Sequence, residues 1–252
     1  MTVVAIIPAR YGSTRFPGKP LAIIGDKPMV QHVYESASRP TCLDEVVVAT
    51  DDRRIVETVE GFGGKAVLTS SNHASGTDRL AEAARGIKAQ WVINIQGDLP
   101  FFRPQTITRI VRALQRDRSI LMGTARVPIF AREELLNPNV VKVVSNADGF
   151  ALYFSRAPIP FQRGTEREKW KGREILGYRH LGIYVYRREF LLRFARLRPV
   201  ALELAEGLEQ LRALVHGVRI RVLDVDEDSV EVDTPEDLKK AEHYLLRGRL
   251  GN

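Results

Sequence analysis

Cysteine is almost absent from this chain: Cys42 stands alone among 252 residues. No intrachain disulfide can form, which excludes a stapled secreted scaffold and fits a reducing, cytoplasmic setting. Long apolar runs are missing too. Nothing here reaches the length of a bilayer span and no leader of the secreted type is visible, so no membrane partner is expected. Aromatic residues make up 8% of the chain. The basic residues are scattered, without the runs and interleaved aromatics of a nucleic-acid surface, so nucleic acid is not an expected partner either. Internal repeats and low-complexity segments are absent. No Cys/His or Ser/His/Asp arrangement suggests a protein nucleophile, and the GxxxxGK[ST] spacing of a Walker loop does not occur.

What is present is cationic and regularly alternating. Lys and Arg number 38 against 31 Asp and Glu, a formal charge of +7 that suits an anionic ligand. The length suffices for one sizeable core. The chain is organised around its first stretch, Val3-Val4-Ala5-Ile6-Ile7 followed by Pro8-Ala9-Arg10-Tyr11-Gly12-Ser13-Thr14-Arg15-Phe16-Pro17-Gly18-Lys19-Pro20. Five apolar residues read as a buried parallel strand. The loop behind them gathers Arg10, Arg15 and Lys19, with Gly12 and Gly18 allowing close backbone approach. A polyphosphate needs both cationic side chains and bare amide N–H groups. A solvated basic turn would look the same from this segment alone.

Further on, apolar strands at residues 45–50, 65–69 and 91–95 alternate with helical spacing around Val30, Val33, Tyr34 and Ala37, around Ile55, Val56 and Val59, and around Leu80, Ala83, Ala84 and Ile87. Residues 70–77 read as a loop. This rhythm predicts an α/β fold, a doubly wound and mainly parallel sheet with ligands at the carboxyl ends of its strands. The pattern then changes to a hairpin at 140–145 and 150–155, with Asp148-Gly149 in its turn, and a strand at 178–186. Residues 158–173 are polar and irregular. Phe190, Leu191 and Phe194 have helical spacing, as do Leu204, Leu208, Leu211 and Val215. A late strand at 219–225 precedes Val232-Asp233-Thr234-Pro235-Glu236-Asp237-Leu238. There Thr234 suits an N-cap, Pro235 the first helical residue and Asp237 the carboxylate of a capping box.

Asp98 and Asp233 each follow an apolar strand, where a side chain would face the active-site crevice. Mg²⁺ takes oxygen ligands and commonly only one or two protein carboxylates, filling its shell with phosphates and water. Two isolated aspartates suit such an ion. Taken alone, Asp98 also reads as a loop hydrogen-bonder and Asp233 as part of a helix cap.

The block Pro8-Ala9-Arg10-Tyr11-Gly12-Ser13-Thr14-Arg15-Phe16-Pro17-Gly18-Lys19-Pro20 resembles the signature of sugar nucleotidyltransferases that activate acidic sugars with CTP, and of the 3-deoxy-manno-octulosonate (KDO) cytidylyltransferase, or CMP-KDO synthetase, family in particular. The similarity extends over nearly the whole chain through Ser75-Gly76-Thr77-Asp78-Arg79, Gln96-Gly97-Asp98, Phe154-Ser155-Arg156-Ala157, Arg179-His180-Leu181-Gly182-Ile183-Tyr184, the block from Leu202 to Arg212, and Val232 to Leu238. The resemblance implies a Rossmann-like nucleotidyltransferase domain over residues 1–252, with an inserted β-rich substrate and dimerisation lobe at approximately 140–186. It implies CTP and KDO as substrates, CMP-KDO and pyrophosphate as products, a place in lipopolysaccharide synthesis, and a homodimer.

By the same resemblance Asp98 and Asp233 hold Mg²⁺, with a second ion carried by the nucleotide. Arg10 and Lys19 meet the triphosphate, with Arg15 beside them. Ser75, Gly76, Arg79 and Gln96 join the nucleotide site, with backbone groups near Pro8 and Ala9 available to the base. Arg156, His180, Tyr184, Glu209 and Gln210 face the sugar. Glu206, Glu209 and Gln210 would share one face if they lie on one helix, and Asp78 is expected to pair with a neighbouring arginine. Two departures stand out. Leu99 replaces the acidic residue of the family's usual QGDEP, and Glu231 replaces a glycine common before VDTPEDL. They leave open an amino-substituted KDO as the sugar. Sialic acid is the nearest rival substrate, although the blocks from Phe154 onward fit the KDO branch. A metal-dependent glycosyltransferase would call for a DxD motif, for which Asp51-Asp52-Arg53 is a poor substitute. A non-catalytic nucleotide-binding regulator would leave the sugar-side residues idle.

Overall fold

A computed structural model of the chain describes residues 1–12, 16–73, 75–163, 174–226 and 229–250, the last four by backbone alone. The chain forms two compact units: Met1–Thr108 with Val185–Ala195 and Glu227–Asn252, and Arg109–Tyr184 with Arg196–Asp226. The unit that includes residues 140–184 thus begins at Arg109 and gathers residues 196–226 as well, while residues 185 and 186 belong to the first unit.

The first unit holds β1 (Val3–Ala9), a small hairpin of β2 (Ile23–Ile24) and β3 (Lys27–Pro28), α1 (Met29–Ala37), β4 (Glu45–Thr50), α2 (Arg53–Gly61), β5 (Ala66–Leu68), α3 (Gly76–Arg85) and β6 (Trp91–Asn94). Its strands lie in the order β6-β1-β4-β5, and each adjacent pair is parallel. Val3 to Ile7 are buried because β1 has a strand on both sides: Ala5 stands opposite Val46 of β4 and Ile93 of β6. Val30, Val33 and Ala37 of α1, Ile55 and Val59 of α2, and Leu80 and Ala84 of α3 supply the helical side of the core, as their spacing predicts. The order matters for function. From β1 the chain winds outward to β4 and β5, then returns to place β6 on the other side of β1. The switch point therefore falls between β1 and β6, where doubly wound sheets bind ligands at their carboxyl ends.

Residues 99–139 hold α4 (Pro104–Arg116), where Ile107, Ile110, Val111 and Leu114 are buried at helical spacing, then β7 (Met122–Ile129) and α5 (Arg132–Leu136). A Gly, an Arg and a Pro interrupt the apolar character of β7. After α5 the second unit continues with the expected hairpin, β8 (Lys142–Ser145) and β9 (Ala151–Ser155), paired antiparallel with an irregularity at Val144/Ser145. Then come β10 (Gly177–Arg187), α6 (Arg188–Phe194) in the first unit, α7 (Ala201–Glu206), α8 (Gln210–Val215), β11 (Ile220–Asp224) and α9 (Pro235–Leu250), the last again in the first unit. Within the second unit β11 runs parallel to β7 and β8 pairs antiparallel with β10.

Two local expectations need correction. The polar stretch after β5 ends at Ser75, which caps α3, so Gly76 and Thr77 are helical. The single helix expected over residues 204–215 is broken at Gly207, whose φ of 62° belongs to the left-handed region and stops α7. Leu204 and Val215, read as part of an apolar stripe, are exposed.

Candidate active site

The loop after β1 closes on itself. Gly18 adopts φ 71°, its N–H donates to the Tyr11 carbonyl at 2.9 Å, and a Cβ at this glycine would lie 3.3 Å from the Tyr11 ring. The Arg54 guanidinium covers that ring at 3.5 Å. Gly18 thereby starts a turn of 3₁₀ helix at Lys19–Leu21 and aims Lys19. The opposite wall is made by backbone pairing between distant segments. Val232 N–H donates to the Asp98 carbonyl at 2.9 Å, and Phe101 forms an antiparallel bridge with Val230. Asp98, just past β6, and Asp233, just before α9, are held side by side as a result.

Asp237 fixes the second of these aspartates. Burial works to raise the Asp237 pKa, but hydrogen bonds from Lys240, Thr234 and the N–H groups of Asp233 and Thr234 bring it below the usual carboxylate value. Its carboxylate accepts the Thr234 N–H at 3.1 Å, as a capping box requires. The Thr234 hydroxyl, instead of accepting from the helix, donates to Asp237 at 3.0 Å.

Three side chains then meet. Lys19 Nζ donates to Asp98 Oδ2 at 2.9 Å and to Asp233 Oδ1 at 3.3 Å. The two carboxylates, 135 positions apart, converge on one cationic centre. Among the described residues no group of three or more His, Cys, Asp or Glu could hold a metal ion; Asp98 and Asp233 offer a two-carboxylate donor set. It fits Mg²⁺, which draws its remaining ligands from phosphate and water. The Lys19 ammonium, a stand-in cation already seated between the two oxygens, makes the same point.

The nucleotide candidates ring the switch point. Ala9 is buried at the end of β1, Pro8 is half-buried and Arg10 is exposed. A Cβ on Gly97 would lie 2.7 Å from the Pro8 carbonyl, so the loop after β6 fits against β1 only with glycine there. A Cβ on Gly76 would lie 3.9 Å from the Pro8 ring, which brings the start of α3 to the same wall. Gln96 is half-buried in the loop after β6. Ser75 Oγ accepts the Asp78 N–H at 3.2 Å and donates to the Asp78 carboxylate at 3.1 Å. The expected arginine partner goes elsewhere. Arg79 is buried and donates to Thr69 Oγ1 at 2.5 Å and to Asp51 at 2.7 Å; it ties the ends of β4 and β5 together. Arg15 lies outside the described residues, as do residues 164–173 of the expected irregular stretch.

Sequence reasoning missed Glu82, which accepts the Ser70 N–H at 3.0 Å and a contact from His73 Nε2. The His73 hydrogen bond first, and the Ser70 N–H second, hold the Glu82 pKa low.

The sugar-side candidates lie in the second unit. Arg156 Nε donates to the Glu206 carbonyl at 2.7 Å and its NH1 to the Pro138 carbonyl at 3.0 Å. The Glu206 carboxylate accepts the Ser155 hydroxyl at 2.6 Å and the Arg156 N–H at 2.8 Å. Beneath them is a residue the sequence did not single out. The Lys142 ammonium donates to the carbonyls of Asn137, Val140 and Arg156 at 2.9, 2.6 and 2.6 Å. Burial, and then the charge of Arg156, lower the Lys142 pKa.

His180 is buried between the Phe154 and Tyr184 rings, each 5.1 Å away by centroid. Its Nε2 lies 3.0 Å from Thr124 Oγ1. The Thr124 hydroxyl is itself 2.8 Å from the Ile183 carbonyl, an arrangement that suits an Nε2–H tautomer. Burial, with the Arg179 charge second, depresses the His180 pKa to about 3, so the ring is neutral. Glu206 and Gln210 do not share one helical face, because Gly207 intervenes. Glu206 ends α7, while the buried Gln210 begins α8 next to Glu209. The two short helices are clamped by Glu203 and Arg212. Arg212 donates to the Glu203 carboxylate at 2.8 and 2.5 Å and to the Leu197 carbonyl at 2.8 Å. Leu99 is buried and Glu231 exposed, so neither departure from the family pattern places a charge in the core.

Comparison with known proteins adds an independent line. A family model described as cytidylyltransferase matches residues 4–220. The chain is 52% identical over 244 residues to a 3-deoxy-manno-octulosonate cytidylyltransferase of Geobacter sulfurreducens, covering 95% of this chain and 98% of the relative. It is 51% identical over 254 residues to the enzyme of the same name from Syntrophobacter fumaroxidans, covering all of both. A solved CMP:2-keto-3-deoxy-manno-octonic acid synthetase, complexed with CTP, superposes with a TM-score of 0.91 at 42% identity, covering 98% of this chain and 100% of that one.

Proposed function

This chain belongs to the 3-deoxy-manno-octulosonate cytidylyltransferase family, and on that premise we propose that it converts CTP and KDO to CMP-KDO and pyrophosphate. The anomeric hydroxyl of the sugar attacks the α-phosphorus in line. The new bond joins the anomeric oxygen to that phosphorus, the bond from the α-phosphorus to the bridging oxygen breaks, and the hydroxyl proton is released. The observation that carries the reading is the meeting of Lys19, Asp98 and Asp233 at the switch point of a parallel sheet. Positioning and electrostatics are the catalytic resources such a site offers.

Arg10 and Lys19 bind the triphosphate. Pro8, Ala9, Ser75, Gly76 and Gln96 shape the nucleotide cleft, and Arg79 braces it from behind. Arg156, Tyr184, Glu209 and Gln210 bind the sugar, with His180 as a neutral hydrogen-bonding ring. Asp98 and Asp233 would hold Mg²⁺, which when bound supplies the positive charge that eases ionisation of the hydroxyl, while a second ion travels with the nucleotide. Names of the relatives support the sugar assignment. We propose in addition that the protein works as a homodimer in the cytoplasm and feeds lipopolysaccharide assembly. Among the described residues no helix is long and apolar enough to cross a membrane.

The deciding assay measures pyrophosphate release from CTP by purified protein with Mg²⁺ and KDO, with an amino-substituted KDO and sialic acid in parallel arms. Release with KDO but not with sialic acid is the expected result. Turnover confined to the amino sugar would move the substrate, and CTP binding without release in any arm would leave a nucleotide-binding regulator.

A further inference from the structure

In the arrangement just described, the place where a divalent cation would sit between Asp98 and Asp233 is filled by the protein's own ammonium. We infer that Lys19 is a built-in counter-ion that blocks cation uptake in the free protein and yields the site when a triphosphate draws it away. The inference rests on the proposed cation role of the two aspartates and goes beyond it, to the order in which the site is loaded.

The physical case begins with charge. Two carboxylates facing one point repel, and a single nearby opposite charge relieves that repulsion. Lys19 does so at hydrogen-bonding distance to both, 2.9 and 3.3 Å. A divalent ion placed there would lie in contact range of the ammonium, so the two cations exclude each other. The pair can be released because the side chains are only partly buried, with 15% of the Lys19, 28% of the Asp98 and 36% of the Asp233 side-chain surface open to solvent. A flexible four-carbon stem carries the ammonium, whereas Gly18 and Tyr11 fix its backbone. A nucleoside triphosphate offers Lys19 a denser set of anionic oxygens than two carboxylates do. It also brings ligands for the incoming ion. Cation and nucleotide should therefore bind with strong positive coupling, which by linkage runs equally in both directions. A protein without nucleotide would hold its aspartates neutralised and leave free metal in solution.

The test reads metal binding, not turnover. Mn²⁺ is titrated into the full chain without nucleotide and followed by electron paramagnetic resonance. Lys19→Met is expected to bind Mn²⁺ at least about tenfold more tightly than the unaltered protein, the low end of what one unit charge does to the charge state of a close neighbour. Lys19→Arg, which keeps the charge, should stay near the unaltered protein, and Asp98→Asn added to Lys19→Met should erase the gain. Lys19→Gln is measured alongside and carries the same expectation should Lys19→Met not fold. Equal affinities for the charge-removing variant and the unaltered protein would overturn the inference, as would an equal gain in Lys19→Arg. Because no sugar or CTP is present, failure here leaves the transferase reading standing, and failure of the pyrophosphate assay does not decide this titration.

Discussion

Asp98 and Asp233 offer little to notice one at a time: each is a half-buried carboxylate at the edge of a loop. Their contact with the same ammonium makes them one charge cluster. Asp98→Asn or Asp233→Asn removes half of the anionic donor set without changing its shape. Each is expected to lower the rate of pyrophosphate release by at least about a hundredfold, a few kcal/mol at the transition state, while thermal melting stays close to that of the unaltered protein. His180 gives a residue-scale prediction of another kind. The ring is neutral in the folded protein, with a pKa of about 3 against the ordinary 6.5. The unfolded chain therefore takes up the proton first, and the stability owed to this buried neutral ring is present in full above pH 6.5 and declines as pH falls toward 3. The stability advantage of the unaltered protein over His180→Gln should accordingly shrink between about pH 7 and about pH 5. Urea unfolding at the two pH values checks this, and an advantage that grows in acid would contradict the neutral ring.

At the scale of elements, the sequence is most legible where one strand or helix answers to one pattern. The apolar run of β1, the six residues of β4 and the Thr234-Pro235 start of α9 can all be read directly, because burial on both faces or a cap leaves a local signature. The clamp between α7 and α8 cannot be read that way. Leucine spacing over residues 204–215 suggests one helix, whereas Gly207 divides it and the bidentate Glu203–Arg212 pair holds the halves. The pair is nine positions apart, off any single-helix spacing, and its two members look like ordinary surface charges in sequence. Both side chains are nearly enclosed, so Arg212→Met would strand the Glu203 carboxylate. A loss of about 3–5 kcal/mol in unfolding free energy is expected, typical of removing one partner from a buried ion pair. Denaturant melts of this variant against Glu203→Gln/Arg212→Met, which should recover part of the loss, measure it. Lys142 was illegible for the same reason. Its three acceptors are backbone carbonyls, which leave no trace in residue type.

Across the whole molecule, the candidates separate by unit: the triphosphate and cation residues in one, the sugar residues in the other. The βαβ rhythm foretold the first unit, since a parallel sheet repeats a simple apolar code. The second was visible in part, as a hairpin, the strands at 178–186 and 219–225 and one run of helical spacing, whereas β7, interrupted by Gly and Pro, and the break at Gly207 were not. Hydrogen exchange should reflect the division. CTP alone is expected to slow exchange at amides near Pro8–Ala9, the start of α3 and Gln96–Asp98, and to leave the hairpin of β8 and β9 and the start of α8 near their free-protein rates. Uniform protection of both units by CTP alone would argue against assigning the nucleotide to the first.

The stitch from Val232 N–H to the Asp98 carbonyl carries one more implication, for the chain during its synthesis. On a ribosome, the cradle-forming residues up to Asp98 emerge long before Asp233 does. A polypeptide interrupted anywhere between them has one carboxylate and no seam to set it in. Premature products of translation that stop short of Asp233 would then be unable to spend CTP.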